Sequence, residues 1–208
     1  MKYKQYKALL FINKGFTLIE LMISIVIGML ILSAVLTMFT GMLRSNNDNL
    51  KAIRLNQDLR ATMSIISRNI RRSGSNRSAA ANSVTTPPTN PFQLLAISSN
   101  QSGTANKCIT FSYDADDGLN ELYGYRFDNT NSEVESRSGG AACSAGGWDA
   151  VTDNTLVTIT DLNFAETRIT EGLIDIVQVT ITLIGELKND GTVSRTLTET
   201  IKVRNDEI

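Results

Sequence analysis

The chain has 208 residues, of which 42% are hydrophobic and 20% are charged, and its formal net charge at pH 7 is −1. It contains no histidine, so the usual general base near neutral pH and the commonest metal ligand are both missing. Without histidine or a G-x-S-x-G motif no activated nucleophile stands out, and the sequence predicts that the protein is not an enzyme.

Residues 1–43 combine a basic leader with a long apolar run. Residues 1–14 carry four lysines and no acid, whereas residues 16–43 are uncharged apart from Glu20. A run of this length is sufficient to cross a bilayer core about 30 Å thick. Because the lysines precede the run and only Arg44 follows it closely, we expect a cytoplasmic N-terminus and an extracytoplasmic remainder.

Glu20 lies near the start of the apolar run, where a charged side chain is costly unless a neighbouring group compensates it. One interpretation is a glutamate whose carboxylate reaches the cytoplasmic interface. The other is a buried carboxylate that pairs with an amine and thereby fixes the axial offset between neighbouring helices.

The helical pattern continues beyond the apolar run. No proline interrupts residues 16–72, and Gly74 stands where a helix C-cap is expected. The second part of this helix has one apolar stripe, made by Leu59, Met63, Ile66 and Ile70 and preceded by Leu50 and Ile53. The stripe must pack against another part of the protein.

Charge is strongly segregated along the chain. Residues 44–77 hold eight bases and two acids, whereas residues 78–208 hold eight bases and eighteen acids. The acidic balance of the C-terminal part argues against nucleic-acid binding there, because phosphate contacts need basic residues. Arg68, Arg71 and Arg72 crowd the end of the predicted helix, either because the helix dipole favours them or as a basic surface that meets acidic heads of neighbouring subunits.

The C-terminal part of the sequence predicts a β-sheet. Residues 73–93 are polar and contain Pro87, Pro88 and Pro91, which indicates a loop. Five later segments alternate apolar and polar residues, and Asn189-Asp190-Gly191 predicts a hairpin between the last two. The segments are KCITFSY, ELYGYRF, TLVTITDLNF, IDIVQVTITLI and TVSRTLTETIKV. We therefore expect an α+β fold in which the long helix packs on an antiparallel sheet.

The two cysteines, Cys108 and Cys143, both lie in the acidic part of the chain. If that part is extracytoplasmic, it is in an oxidising compartment, where a disulfide between them is expected rather than two free thiols. In the chain-entropy account such a bond contributes about 3–4 kcal/mol.

Asp114, Asp116 and Asp117 are the residues that a calcium ion would use if one bound. They precede Gly118 in a run similar to a calcium loop, but the glycine is fifth, whereas an EF-hand needs it sixth and a glutamate later. We predict a polar turn between two strands, without a cofactor.

The segment Lys14-Gly15-Phe16-Thr17-Leu18-Ile19-Glu20-Leu21 resembles the signal of type IV prepilins and type II secretion pseudopilins. The resemblance implies that a membrane peptidase cuts after Gly15 and methylates the new N-terminus at Phe16. It also implies that Glu20 is the family's signature carboxylate, with the amine of Phe16, on its own or a neighbouring subunit, as its partner. Major subunits of this family often have a proline in the middle of the anchor, where this chain has Thr37.

The remaining sequence is similar to minor pilins of the PilW type and to the related J-type pseudopilins, through RLNQDLRATMSIISRNIRRSGS and the order of blocks after it. This implies a type IV pilin-like fold divided into a cleaved leader (1–15), a transmembrane and filament-core half-helix (16–43), an amphipathic half-helix (44–74), a loop (75–93) and a β-rich periplasmic head (94–208). The implied role is a minor pilin that helps to initiate pilus assembly at or near the filament tip. The alternatives are a J-type pseudopilin and a recognition subunit at the tip.

The implied partners are the prepilin peptidase and N-methyltransferase, other minor pilins, the major pilin, the assembly platform and inner-membrane lipid. Retention of Glu20 predicts a place just below the extreme tip, because the tip-most subunit of the related system lacks this residue.

Overall fold

The computed structural model describes residues 15–76, 90–92, 95–114, 122–140, 142–171, 174–188 and 190–203. The predictions for residues 1–14, for most of the loop 75–93 and for Asn189 therefore lie outside the described residues. The chain divides into two compact units, Met1–Asn49 and Leu50–Ile208.

The first element is α1, Leu18–Ile70. In the N-terminal unit the side chains of this helix are exposed, and they are mostly aliphatic. By length and hydropathy α1 is able to span a membrane, and it is the one such helix among the residues described. The apolar run of the sequence is therefore a helix whose surface suits lipid.

The helix ends at Ile70, and residues 71–74 form a turn rather than the continuation to residue 72 that the sequence predicts. Gly74 adopts a left-handed conformation with φ of 79°, which a glycine accepts without steric cost. Its N–H donates to the carbonyl oxygen of Ser112 at 2.9 Å, so this cap also attaches the end of the helix to a strand.

The strands of the C-terminal unit form two antiparallel sheets among the described residues, where the sequence predicts one. The first sheet has the order β1-β2-β3-β4-β5 and the second the order β6-β7-β8. The strands are β1 Leu95–Ser98, β2 Cys108–Ser112, β3 Leu122–Asp128, β4 Glu133–Ser138, β5 Asp149–Ala150, β6 Val157–Glu171, β7 Ile174–Leu187 and β8 Asp190–Lys202.

One hydrophobic core joins the helix to both sheets within the C-terminal unit. Its helical part consists of Leu55, Leu59, Met63, Ile66 and Ile70, all 5% exposed or less. On β7 the predicted alternation is confirmed, because Val177, Val179, Ile181 and Leu183 are buried while the residues between them are half-buried. The α+β architecture expected from the sequence is confirmed.

The apolar stripe begins later than the sequence predicts. Leu50 and Ile53 remain 55% and 52% exposed, and the stripe that contacts the sheets starts at Leu55. Two large aliphatic side chains of the C-terminal unit thus stay in solvent, where burying each against another surface would stabilise a contact by about 1.5–3 kcal/mol.

Gly185 on β7 gives a test of how closely the helix approaches the sheet. A Cβ atom at this position would lie 2.8 Å from Cδ2 of Leu59, which is fully buried, and 3.4 Å from Cδ1 of Ile159. We expect Gly185→Ala to lower the free energy of unfolding by about 1–3 kcal/mol, because both contacts must shift in a close-packed core.

The measurement is denaturant unfolding of the full chain in detergent, followed by fluorescence of the single tryptophan. Gly146→Ala is the matched control, because a Cβ there meets no atom within 4 Å. Equal stability of the two variants would contradict the close approach of the helix at Gly185.

Candidate functional site

The N-terminal segment starts α1 with the sequence spacing of a capping box, and the structure shows the bond made by its threonine. The N–H of Glu20 donates to Oγ1 of Thr17 at 3.3 Å, and the carbonyl oxygen of Thr17 accepts from the N–H of Leu21, also at 3.3 Å. Thr17 is therefore the N-cap and Glu20 stands three residues later, the threonine–x–x–glutamate spacing that defines this motif. The carboxylate of Glu20 also lies in the first turn, where the helix dipole favours negative charge.

The residues predicted for processing lie next to this cap. Phe16 is 82% exposed, and Gly15 and Glu20 are exposed as well. Among the described residues no basic side chain forms an ion pair with Glu20. The structure therefore shows only that the Glu20 carboxylate lies in the favourable first turn of the helix, and its pairing with a Phe16 amine stays a prediction.

Hydroxyl groups within the apolar part of the helix are bonded to the helix itself. Ser24 donates to the carbonyl oxygen of Glu20 at 2.7 Å, Ser33 to that of Leu30 and Thr37 to that of Ala34, both at 2.8 Å. Such internal bonds lower the cost of placing polar groups in lipid. Thr37 in particular stands in continuous helix, without the break that a proline would cause.

In the C-terminal unit, Cys108 and Cys143 are joined by a disulfide with their Cα atoms 6.1 Å apart. The bond ties β2 to the segment between β4 and β5. Together with Trp148 the two cysteines form a second, smaller buried cluster. The disulfide therefore holds a long connection that has little regular structure of its own.

Arg126 also binds the connection between β4 and β5. Its guanidinium donates to the carbonyl oxygens of Cys143 and Ala145, at 2.8 and 3.1 Å, and to Oε2 of Glu135 at 2.6 Å. Its Cζ lies 4.6 Å from the centroid of the Trp148 ring. Arg126 and Glu135 are 7% and 8% exposed, so this is a buried and fully engaged ion pair.

Sequence reasoning missed this network. Cys108, Arg126 and Glu135 are direct cross-strand neighbours on β2, β3 and β4. A signal was present, since a charged residue between Tyr125 and Phe127 interrupts an aromatic strand and requires a partner if it is buried. The partner belongs to a strand with too many polar residues to be recognised from its pattern.

Three buried carboxylates lie at the hairpin between β3 and β4. The nearest side-chain oxygens of Asp128, Glu133 and Glu135 all lie within 4.8 Å of one another, an oxygen set of the kind that hard cations prefer. However, Glu135 is paired with Arg126, and Asp128 accepts from Asn131 and from the N–H of Thr130, both at 2.8 Å. The protein's own donors therefore satisfy most of this cluster.

Asp114, the first of the weak calcium candidates, is at the end of the segment that follows β2. Its N–H donates to the carbonyl oxygen of Ser75 at 2.9 Å, so its backbone is attached to the turn after the helix. Asp116 and Asp117 lie outside the described residues, and calcium binding by this group stays untested.

Glu133 gives a pH-dependent prediction. Burial, with repulsion from the Glu135 and Asp128 carboxylates, raises the pKa of Glu133 above its usual value of 4.5. A raised carboxyl pKa means that the folded state binds the proton more tightly than the unfolded state. The stabilisation that the folded state gains from a protonated Glu133 is therefore complete at acid pH and is lost as the pH rises through the folded-state pKa.

At neutral pH the charged Glu133 is therefore a cost, and we expect Glu133→Gln to raise the free energy of unfolding by on the order of 1 kcal/mol. The gain should disappear as the pH falls below the glutamate range, which thermal unfolding of the full chain at several pH values would show. Glu186→Gln, on β7 outside the cluster, is the control. A gain that is independent of pH would argue against this electrostatic origin.

Comparison with known protein families covers both compact units. Residues 11–36 match the model described as the prokaryotic N-terminal methylation motif. Residues 48–203, most of the chain, match the model described as prepilin peptidase-dependent protein B. No curated protein and no solved structure gives a significant match.

Proposed function

Because the chain belongs to the prepilin peptidase-dependent protein B family, we propose that this type IV pilin-like protein is a minor pilin that helps to initiate pilus assembly in a priming complex at or near the filament tip. The observation that carries the proposal is the methylation motif over residues 11–36, which joins Gly15, Phe16 and Glu20 to a helix long and apolar enough to span a membrane. The similarity of the later segments to PilW-type minor pilins supports the priming role.

In this proposal the prepilin peptidase removes residues 1–15, and methylation keeps the new amine of Phe16 cationic. The anchor stays on the protein, because the cut precedes the apolar run instead of following it. Before assembly the helix lies in the inner membrane with its N-terminus in the cytoplasm and its disulfide-bonded head in the periplasm. During assembly the same helix leaves lipid and packs among the helices of neighbouring subunits.

Glu20 would then act as a register device. A carboxylate in an apolar helix bundle is stable only if it meets a cation, and the methylated amine of an adjacent subunit supplies one at a single axial offset. The threonine–x–x–glutamate spacing is that of a capping box, in which the Glu20 side chain would have a second role in starting α1. Substitution separates the two roles, because glutamine retains the capping function at this position and loses the charge.

We expect Glu20→Gln and Glu20→Val to reduce incorporation into filaments by about tenfold or more, because both remove the charge of a buried pair. The measurement is the amount of processed subunit in sheared filaments relative to the amount in membranes. Thr17→Ala, which weakens the cap and retains the carboxylate, should be incorporated nearly as well as the wild type.

Normal incorporation of Glu20→Val would contradict any role of Glu20 in assembly. Normal incorporation of Glu20→Gln, with loss of Glu20→Val, would show instead that Glu20 acts through the helix cap.

A J-type pseudopilin of a type II secretion system is the second candidate, supported by the same stalk segment and by the unbroken helix at Thr37. A deletion strain assayed both for surface pili and for enzyme secretion distinguishes the two. We expect loss of pili with normal secretion, and the reverse result would favour the pseudopilin.

A further inference from the structure

A basic groove lies within the C-terminal unit, between the second part of α1 and β8. Its volume is about 620 Å³. One side is lined by Arg60 and Arg68 on the helix and by Arg71 in the turn that follows it, and the other by the consecutive strand residues Leu197, Thr198 and Glu199. The side from Arg60 to Arg71 covers twelve residues, or eleven steps of about 1.5 Å, and this length of about 16 Å matches about five residues of an extended chain.

The strand side of the groove belongs to a sheet edge. β8 runs alongside α1, since Lys51 pairs with Asp190 at 3.7 Å and Arg71 pairs with Glu199 at 2.8 Å. β8 is hydrogen-bonded to β7, and within the described ranges no second strand pairs with its other side. An edge of this kind is a template for an added strand.

The helix side of the groove has an excess of positive charge. Arg71 is held by Glu199, and Nε of Arg60 donates to Oδ1 of Asn56 at 2.7 Å. Among the residues that the structure describes, no carboxylate forms an ion pair with Arg60 or Arg68. The neighbouring Arg72 stacks over the ring of Tyr113 at 4.1 Å and does not line the groove. The guanidinium groups of Arg60 and Arg68 are thus placed to bind carboxylates of another molecule.

We propose that this groove binds an extended acidic segment of a neighbouring filament subunit, which adds to β8 as a further strand. The backbone of the segment would pair with the edge of β8, while alternate carboxylates would meet Arg68 and Arg60. Met63 and Leu197 give the groove an apolar part, on which the aliphatic portions of the segment's side chains would pack. Only the identity of the partner, a filament subunit, rests on the proposed function.

The test uses the full mature chain in detergent and a fluorescein-labelled peptide of alternating glutamate and threonine, with binding followed by fluorescence anisotropy. Two peptide controls isolate the two interactions. A peptide in which lysine replaces glutamate reverses the charge, and a peptide N-methylated at alternate residues retains the charge but loses the donors of one edge. We expect the unmodified acidic peptide to bind at least about tenfold more tightly than either control.

Arg68→Glu should reduce the affinity for the acidic peptide by about tenfold or more. Arg54→Glu, the same charge change on an exposed part of the same helix outside the groove, should leave it nearly unchanged. Tryptophan fluorescence of each variant checks that the head is folded.

Equal binding of the N-methylated peptide would overturn strand addition, and competition by inorganic phosphate at equal concentration would identify a simple anion site instead. Self-association of the chain that Arg68→Glu abolishes would assign the groove to a second copy and would also overturn the proposal. Failure here is distinguishable from failure of the proposed function, because peptide binding is measured on the purified chain, whereas the proposed function is tested by cleavage and methylation at the N-terminus, which the groove does not contact.

Discussion

Replacement of Gly15 with valine is expected to leave residues 1–15 on the chain and to exclude it from filaments. This effect does not come from a change in the fold of the chain. A Cβ atom at Gly15 meets no atom within 4 Å, and its backbone does not need a left-handed conformation. The substitution therefore leaves the helix as it is and acts on the peptidase, which must accept the residue before the cut bond.

The consequence for assembly follows from charge. With the leader retained, no α-amine forms at Phe16, and the four lysines of residues 1–14 stay attached to the anchor. The cation that would meet Glu20 is then never formed next to the apolar helix, and inserting a leader with four charges into a filament core is prohibitively costly.

The measurement is the intact mass of the chain from membranes and its recovery in sheared filaments. Gly28→Ala is the control, because it too meets no atom within 4 Å but lies inside the anchor. It should be processed like the wild type. A Gly15→Val chain that lacks residues 1–15 would contradict the proposed cleavage position.

Arg126→Met is expected to lower the free energy of unfolding of the head by about 3–5 kcal/mol. The change leaves the buried carboxylate of Glu135 without its cation, leaves the carbonyl oxygens of Cys143 and Ala145 without their donor, and removes the group stacked on Trp148. Among the described residues the buried indole N–H of Trp148 has no acceptor, so no hydrogen bond of the indole offsets the loss of the stacked guanidinium.

Denaturant unfolding with tryptophan fluorescence measures this effect, because Trp148 lies in the affected cluster. Adding Glu135→Gln to Arg126→Met should recover a large part of the loss, since the uncompensated charge is removed. Arg137→Met is the matched control. It sits on β4, is half-buried and donates to the carbonyl oxygen of Gly146 in the same connection, at 2.8 Å. If Arg126→Met lowered the free energy of unfolding by less than about 1 kcal/mol, Arg126 would not hold the connection between β4 and β5 as described.

The sequence is sufficient to predict the elements whose pattern is local. The long helix, the alternation on β7 and the α+β class follow from apolar periodicity, and the structure has all three. The end of the helix is also predicted to within two residues, because Gly74 is a strong signal.

What the sequence does not predict depends on contacts between distant residues. Strand β4 reads Glu-Val-Glu-Ser-Arg-Ser, and its two glutamates are buried beside polar partners, since Glu135 pairs with Arg126 and Glu133 is hydrogen-bonded to the Asn131 side chain. Its pattern alone resembles a polar loop. Strands β1 and β5 are likewise too short to show a periodic pattern, so the pairing of β1 with β2 is not predicted either.

The same distinction applies to the candidate sites. Gly15, Phe16 and Glu20 are predicted from a contiguous motif, and the structure adds that the side chain of Thr17 caps the helix by accepting from the backbone N–H of Glu20. The basic surface predicted from Arg68, Arg71 and Arg72 is divided in the structure. Arg71 and Arg72 are engaged within the head, and Arg68 joins Arg60 in the groove beside β8.

The most direct test of the central claim is the mass of the N-terminal peptide of this chain, isolated from sheared filaments. If the chain is a processed type IV pilin subunit, that peptide begins at Phe16 and carries one methyl group on its amine. A chain that begins at Met1, or at a residue beyond the apolar run, would contradict the account, because the anchor and its cation would then not exist together in the filament.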